Sequence, residues 1–149
     1  MKKTLLLFFV AFLFSCNQSD GLRQYYDDFE MNRWASSDVR EFNFEIKSDK
    51  SYLIELQFSH VYDYQFAEVP LKIEIISPDG NSVEEVVLHI KDNSGKHLAD
   101  CTGDYCDLFY KFKSREFKKG LYSIKITNMF SGPYLPNVLG VGVELKSFN

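Results

Sequence analysis

The sequence predicts an all-β protein, an antiparallel β-sandwich of jelly-roll or immunoglobulin type with about seven or eight strands. Two observations carry that prediction. Apolar and polar residues alternate over successive short segments, separated by clusters of Gly, Pro, Asn, Asp and Ser at roughly 8 to 20 residue spacing. Helical periodicity is marginal everywhere, so no segment competes for a helix long enough to change the class.

In chain order, the first segment is not part of that fold. Residues 1–15 read as a lipoprotein signal peptide: Lys2 and Lys3 precede an apolar run from Leu5 to Phe14, and Ser15 places a small residue before Cys16. A run of about ten apolar residues is too short to cross a ~30 Å hydrocarbon core. Leu13-Phe14-Ser15-Cys16 resembles the bacterial lipobox, in which the cysteine is acylated and becomes the new N-terminus. Cys16 is therefore the expected lipidation site, and membrane attachment through its acyl chains is expected. Residues 16–33 are polar with scattered aromatics (Tyr25, Tyr26, Phe29) and are expected to form a lipid-anchored flexible tether. The sandwich domain is then expected over 34–149.

Within that domain Phe42, Phe44 and Ile46 share one phase, and after Ser48-Asp49-Lys50 the residues Tyr52, Ile54, Leu56, Phe58 and His60 share the next. Leu71, Ile73 and Ile75 make a third strand. Ser77-Pro78-Asp79-Gly80 then turns the chain, since proline sets φ at the first corner and glycine can take a positive φ. Val86, Leu88 and Ile90 return, and Asp92-Asn93-Ser94-Gly95 turns again. Leu108, Tyr110 and Phe112, then Tyr122, Ile124 and Ile126, then Leu139, Val141, Val143 and Leu145 complete the set. Gly140 and Gly142 occupy the opposite phase of the last strand, which marks a bulge or a close approach of another backbone.

The leader holds two lysines and no acidic residue, so the chain from Cys16 onward carries 15 basic and 21 acidic residues, a net charge of −6. A surface of that balance repels phosphate backbones, which argues against nucleic acid and against polybasic docking to anionic lipid. If Cys16 is lipidated, Cys101 and Cys106 remain as a pair in an oxidising compartment, and a disulfide between them is the expected state. Five extended steps would separate their Cα atoms by roughly 16 Å, beyond disulfide reach, so the chain must turn at Thr102-Gly103-Asp104-Tyr105. A redox or metal pair fits less well. The spacing is not CxxC, and no second Cys or His pair completes a zinc set.

Catalytic signatures are missing from the chain. The three histidines match no ligand spacing, and neither a GxSxG elbow nor a phosphate loop occurs. His60 reads as a satisfied residue at a strand end. Asp100, Thr102 and Asp104 mimic the start of a calcium loop, but Tyr105 and Lys111 stand where that loop needs glycine and glutamate. No metal, cofactor or enzymatic activity is therefore expected. Tyr62, Tyr64 and Phe66 lie in the longest polar-aromatic connection and could form a platform for stacking on sugar rings, the surface carbohydrate-binding alternative. Met129, Phe130 and Tyr134, beside Gly132-Pro133 and Pro136, could form an apolar partner-binding tip.

Taken in order, the lipobox, Trp34, Asp38-Val39 leading into Phe42-Asn43-Phe44, and Asp63-Tyr64-Gln65-Phe66 resemble the GldH-like gliding-motility lipoprotein family of Bacteroidetes. The resemblance continues through Pro78-Asp79-Gly80, Asp92-Asn93-Ser94-Gly95-Lys96, Phe117-Lys118-Lys119-Gly120-Leu121-Tyr122 and Ile126-Thr127-Asn128-Met129, and ends with Val138 to Glu144. It implies a structural or assembly role in gliding, in association with other motility lipoproteins and the linked type IX secretion machinery, with no known enzymatic activity. It also implies an outer-membrane lipoprotein facing the periplasm or the cell surface. His97, Phe130 and the Cys101/Cys106 pair depart from the family's usual pattern.

Overall fold

The structure, a computed structural model, describes residues 22–148. The leader, Cys16 and the start of the expected tether lie outside the described residues. Eleven strands form: β1 (Leu22–Tyr26), β2 (Arg33–Ala35), β3 (Arg40–Ile46), β4 (Lys50–Val61), β5 (Glu68–Ser77), β6 (Gly80–His89), β7 (Asp100–Thr102), β8 (Tyr105–Phe117), β9 (Gly120–Asn128), β10 (Tyr134–Pro136) and β11 (Val138–Ser147).

One sheet has the order β1-β11-β4-β8-β7 and the other β3-β9-β5-β6, with β2 and β10 paired separately at one end. All the pairings are antiparallel. Without the three-residue β2, β7 and β10, eight strands remain as β1-β11-β4-β8 facing β3-β9-β5-β6. Apart from the β5–β6 hairpin, consecutive strands of these eight cross between the sheets in the manner of interlocked Greek keys, so of the two sandwich types expected this is the jelly roll. The larger strand count comes from the three short strands and from β1, whose alternation is too brief to read.

The period of two sets the core. Phe42, Phe44 and Ile46 of β3, Leu71, Ile73 and Ile75 of β5, and Tyr122, Ile124 and Ile126 of β9 face Ile54, Leu56 and Phe58 of β4 and Val141, Val143 and Leu145 of β11. The Phe117 ring packs on Tyr52 at 5.5 Å and on Tyr122 at 4.8 Å, joining the sheets near one end. The Lys113 ammonium of β8 pairs with Glu84 of β6 across one open side.

The tether expected over 16–33 gives way, from Leu22, to folded structure. β1 adds to β11 in register from Leu22 opposite Leu145 to Tyr26 opposite Val141. Its side chains also close the other side of the sandwich. The Gln24 amide bonds both the carbonyl and the N–H of Asn43, Tyr26 Oη donates to the Glu41 carbonyl at 2.8 Å, and the Tyr26 ring meets Phe42 edge-on at 5.1 Å. These contacts occupy backbone groups of edge strand β3 that would otherwise face solvent. Hydrophobic alternation could not reveal β1, because this five-residue strand works through polar and aromatic side chains.

The Cys101–Cys106 disulfide forms across a directly opposed pair of β7 and β8, with Gly103 at φ 59° and Asp104 making the two-residue turn between Thr102 and Tyr105. It clasps a hairpin, as its short loop requires.

Candidate interaction site

The contact candidates gather at the end of the sandwich where β4 and β9 finish and β3 and β5 begin. Tyr62 is exposed, with its ring 6.4 Å from that of His97 and 18° from parallel. His97 Nε2 lies 3.4 Å from the Asp63 carboxylate. Tyr64 turns the other way. Its side chain is 1% exposed, its ring sits edge-on to Phe58 at 5.8 Å and 4.8 Å from His60, and its hydroxyl donates to the Pro136 carbonyl at 3.0 Å. Burial raises the pKa of that phenol above its ordinary value. Phe66 is half-buried, 5.7 Å from Tyr64 and 5.0 Å from Phe130.

The three-ring platform expected at Tyr62, Tyr64 and Phe66 is therefore not formed. Asp63 between the first two has φ 53°, a left-handed residue that breaks the period of two and sends its neighbours to opposite sides. Met129 is exposed, while Phe130 is half-buried on the core beside Phe66, so the expected tip is only partly outward.

Tyr134 belongs to a different feature, an open groove of about 500 Å³ between the β1–β3 connection and the β9–β10 loop. The Arg33 guanidinium stacks 4.6 Å over the Tyr134 ring. Arg40 lies between Phe29 and Tyr26, at 4.3 and 5.2 Å, and bonds Asp28 and Asp38 at 2.5 and 2.6 Å. Met31 is 71% exposed on the rim, and both it and Asn32 have positive φ. The walls are set from below by Trp34, fully buried, with Nε1 donating to the Asp38 carbonyl at 2.8 Å. Asn128 Nδ2 bonds the carbonyls of Trp34 and Ala35 at 3.2 and 3.1 Å. Arg33, Arg40 and Asp28 were not legible as site residues, since nothing in their spacing brings three separate segments together.

A second polar constellation covers the outer face of the five-stranded sheet. Tyr25 lies across Gly142 and Gly140 of β11, where a Cβ on Gly140 would fall 1.7 Å from the phenol oxygen. Its hydroxyl bonds Ser59 at 2.9 Å and also Tyr105. Ser59 Oγ and Gln57 Nε2 donate to Asp107 Oδ1 at 2.5 and 2.8 Å, and Arg23 bonds Gln57. Burial, ahead of the neighbouring Tyr105 and Asp107, pushes the Tyr25 phenol above its ordinary value. A bulge does fall between Val138 and Gly140, but the close approach at Gly140 is a side chain; a Cβ on Gly142 would lie 2.8 Å from the Tyr25 ring and 3.0 Å from the Gln24 carbonyl. These donors and acceptors satisfy one another, so the network fastens β1 to the sheet.

His60 is fully buried between Phe58 and Tyr64, with Nδ1 2.9 Å from the Val61 carbonyl and Nε2 without a partner among the described residues. It is a core residue, only half satisfied. Burial holds its pKa below the ordinary imidazole value. Asp100, Thr102 and Asp104 fall on the β7–β8 hairpin as separate exposed groups. No three His, Cys, Asp or Glu side chains converge as a metal site would require, among the described residues. No described helix is long and apolar enough to cross a membrane.

With the geometry in place, comparison with known proteins adds one family. The model of the GldH lipoprotein family matches residues 22–145. No curated protein matches the chain. A crystal structure of a protein from Sulfurospirillum deleyianum is similar over 87% of this chain and 98% of that one, at 16% sequence identity and a TM-score of 0.42.

Proposed function

This chain belongs to the GldH lipoprotein family, and from that premise we propose that it is a lipid-anchored structural or assembly component of the gliding-motility apparatus. The observation that carries the reading is the family match, which begins at Leu22 and runs through all but the last strand residues, so it covers the folded domain as a whole. In this reading Cys16 bears the lipid, the protein sits at the outer membrane, and its partners are other motility lipoproteins and components of the type IX secretion machinery. It works by docking and not by catalysis. Anchoring restricts the domain to a surface and raises its effective concentration for a membrane partner without any new contact.

The end carrying Tyr62, Met129 and the Arg33–Tyr134 groove is the docking surface in this reading, because exposed aromatic, Met and Arg side chains are the types that anchor protein interfaces. The carbohydrate alternative loses its platform with the burial of Tyr64. Gentle solubilisation of the full-length protein from its native membrane, followed by mass spectrometry of co-purifying proteins, tests the proposal. Recovery of motility lipoproteins or secretion components supports it; recovery alone, or with glycan-uptake proteins, overturns it.

A further inference from the structure

The jelly roll sorts the charges by end. β1 runs antiparallel to β11 and starts opposite Leu145, so the chain enters the domain where β3 meets β4, β5 meets β6, β8 meets β9, and β11 finishes. These tips touch one another. The Lys119 N–H donates to Asp49 at 2.8 Å, Lys118 lies 3.4 Å from Asp49, and a Cβ on Gly120 would meet Pro78 at 2.6 Å. Lys47, Lys50, Arg115, Lys118, Lys119 and Lys146 all belong to this end, against Glu45, Asp49, Asp79, Glu116 and Glu144, and Lys146 is paired with Glu144 and with Glu55 farther along the sheet. The opposite end carries Asp27, Asp28, Asp63, Asp92, Asp100 and Asp104, with fewer basic residues among them. A net charge of −6 counts against an anionic surface only when the charges are evenly spread, and here they are not.

We infer that this basic end rests on the anionic headgroups of the bilayer that holds the Cys16 lipid, leaving the acidic end and its groove directed away from the membrane. The inference rests on the anchoring proposed above. Six Cα steps separate Cys16 from Leu22, a reach of at most roughly 20 Å, so the tips nearest Leu22 cannot leave the headgroup region by much. Two large apolar side chains stand exposed there, Leu121 at 74% and Phe148 at 51%, the combination of apolar and basic groups that an interface accepts. Lys47 and Lys119 have no carboxylate partner among the described residues, so their ammonium groups are open to phosphate. Screening limits the attraction to about 8 Å at physiological salt, which is why the short connection matters.

The test uses full-length acylated protein in vesicles of phosphatidylcholine with or without phosphatidylglycerol, with amine-reactive labelling read lysine by lysine by mass spectrometry. Flotation and the mass of the Cys16 peptide report the anchor separately. Labelling of Lys47, Lys118 and Lys119 should slow by roughly fivefold or more in anionic vesicles relative to neutral ones, the factor that one basic residue near such a surface supplies. Lys91 and Lys96 at the other end should label equally in both. High salt, or a Lys47→Glu, Lys118→Glu, Lys119→Glu variant that still floats, should abolish the difference in slowing between Lys146 and Lys91. A floating protein whose two ends label alike, or whose Lys91 and Lys96 are the protected ones, overturns the orientation and leaves the anchor standing. A protein that carries no acyl chain on Cys16 overturns both.

Discussion

Adding one methyl group at Gly140 should destabilise the fold by pushing the Tyr25 ring off its partners. A Cβ there would lie 1.7 Å from the Tyr25 oxygen and 2.1 Å from the carbon that bears it, so the phenol must swing off β11. It then gives up its bonds to Ser59 and Tyr105. Each such bond contributes about 0.5–1.5 kcal/mol net, so the loss is about 1–3 kcal/mol. Alanine in a strand regains about 0.5–1 kcal/mol over glycine by reducing the freedom of the unfolded chain. Gly140→Ala should therefore destabilise by about 1 kcal/mol, at most about 2.5 kcal/mol, visible as a lower urea midpoint at unchanged slope. In a Tyr25→Ala background the clash is gone, and the same change should be neutral or stabilising by up to about 1 kcal/mol. That reversal of sign is the signature of direct coupling between the two residues. An equal cost in both backgrounds would refute the account of Gly140 as the seat of the Tyr25 ring.

Tyr64→Ala should cost about 3–5 kcal/mol as a core truncation, whereas Tyr62→Ala should shift stability by less than about 0.5 kcal/mol; thermal melts of the two separate a core ring from a surface one. Asn128→Ala removes the amide donor shared by the Trp34 and Ala35 carbonyls, of which Ala35 keeps the Asp38 N–H, and should cost about 1–3 kcal/mol by urea unfolding, while an effect confined to partner binding would contradict its structural role. Replacing Cys101 and Cys106 together by serine should cost on the order of 2 kcal/mol, and the variant's melt should no longer respond to reductant. Stability should also fall as pH drops below about 6.5: the unfolded chain takes up a proton on His60 there, the folded one does not, and the contribution is complete only above that pH. In His60→Gln the slope of unfolding free energy between pH 7.5 and 5 should flatten; an unchanged slope assigns the pH dependence elsewhere.

The class and most of the frame were legible in the order of the residues. Alternation in Phe42–Ile46, Tyr52–Phe58, Leu71–Ile75, Tyr122–Ile126 and Val141–Leu145 placed their apolar residues correctly in the core, because each of these strands buries one face and the side-chain period is two. The Cys101–Cys106 turn and the Pro78-Asp79 hairpin were equally local, settled by chain geometry within a few residues. Tertiary structure alone decided the choice of jelly roll, since strand order depends on which strands meet across the sandwich. It alone showed β1 as part of the fold, because a strand that acts through Gln24, Tyr25 and Tyr26 carries no apolar period. The site followed the same division. Tyr64 and Tyr62 look alike in a loop until the left-handed Asp63 sends one inward, and lysines scattered from Lys47 to Lys146 come to one end only when three strand connections and the finish of β11 are folded to the same side. Short-range patterns can be read from the chain because backbone geometry enforces them residue by residue; the placement of distant segments is enforced only by their packing against each other.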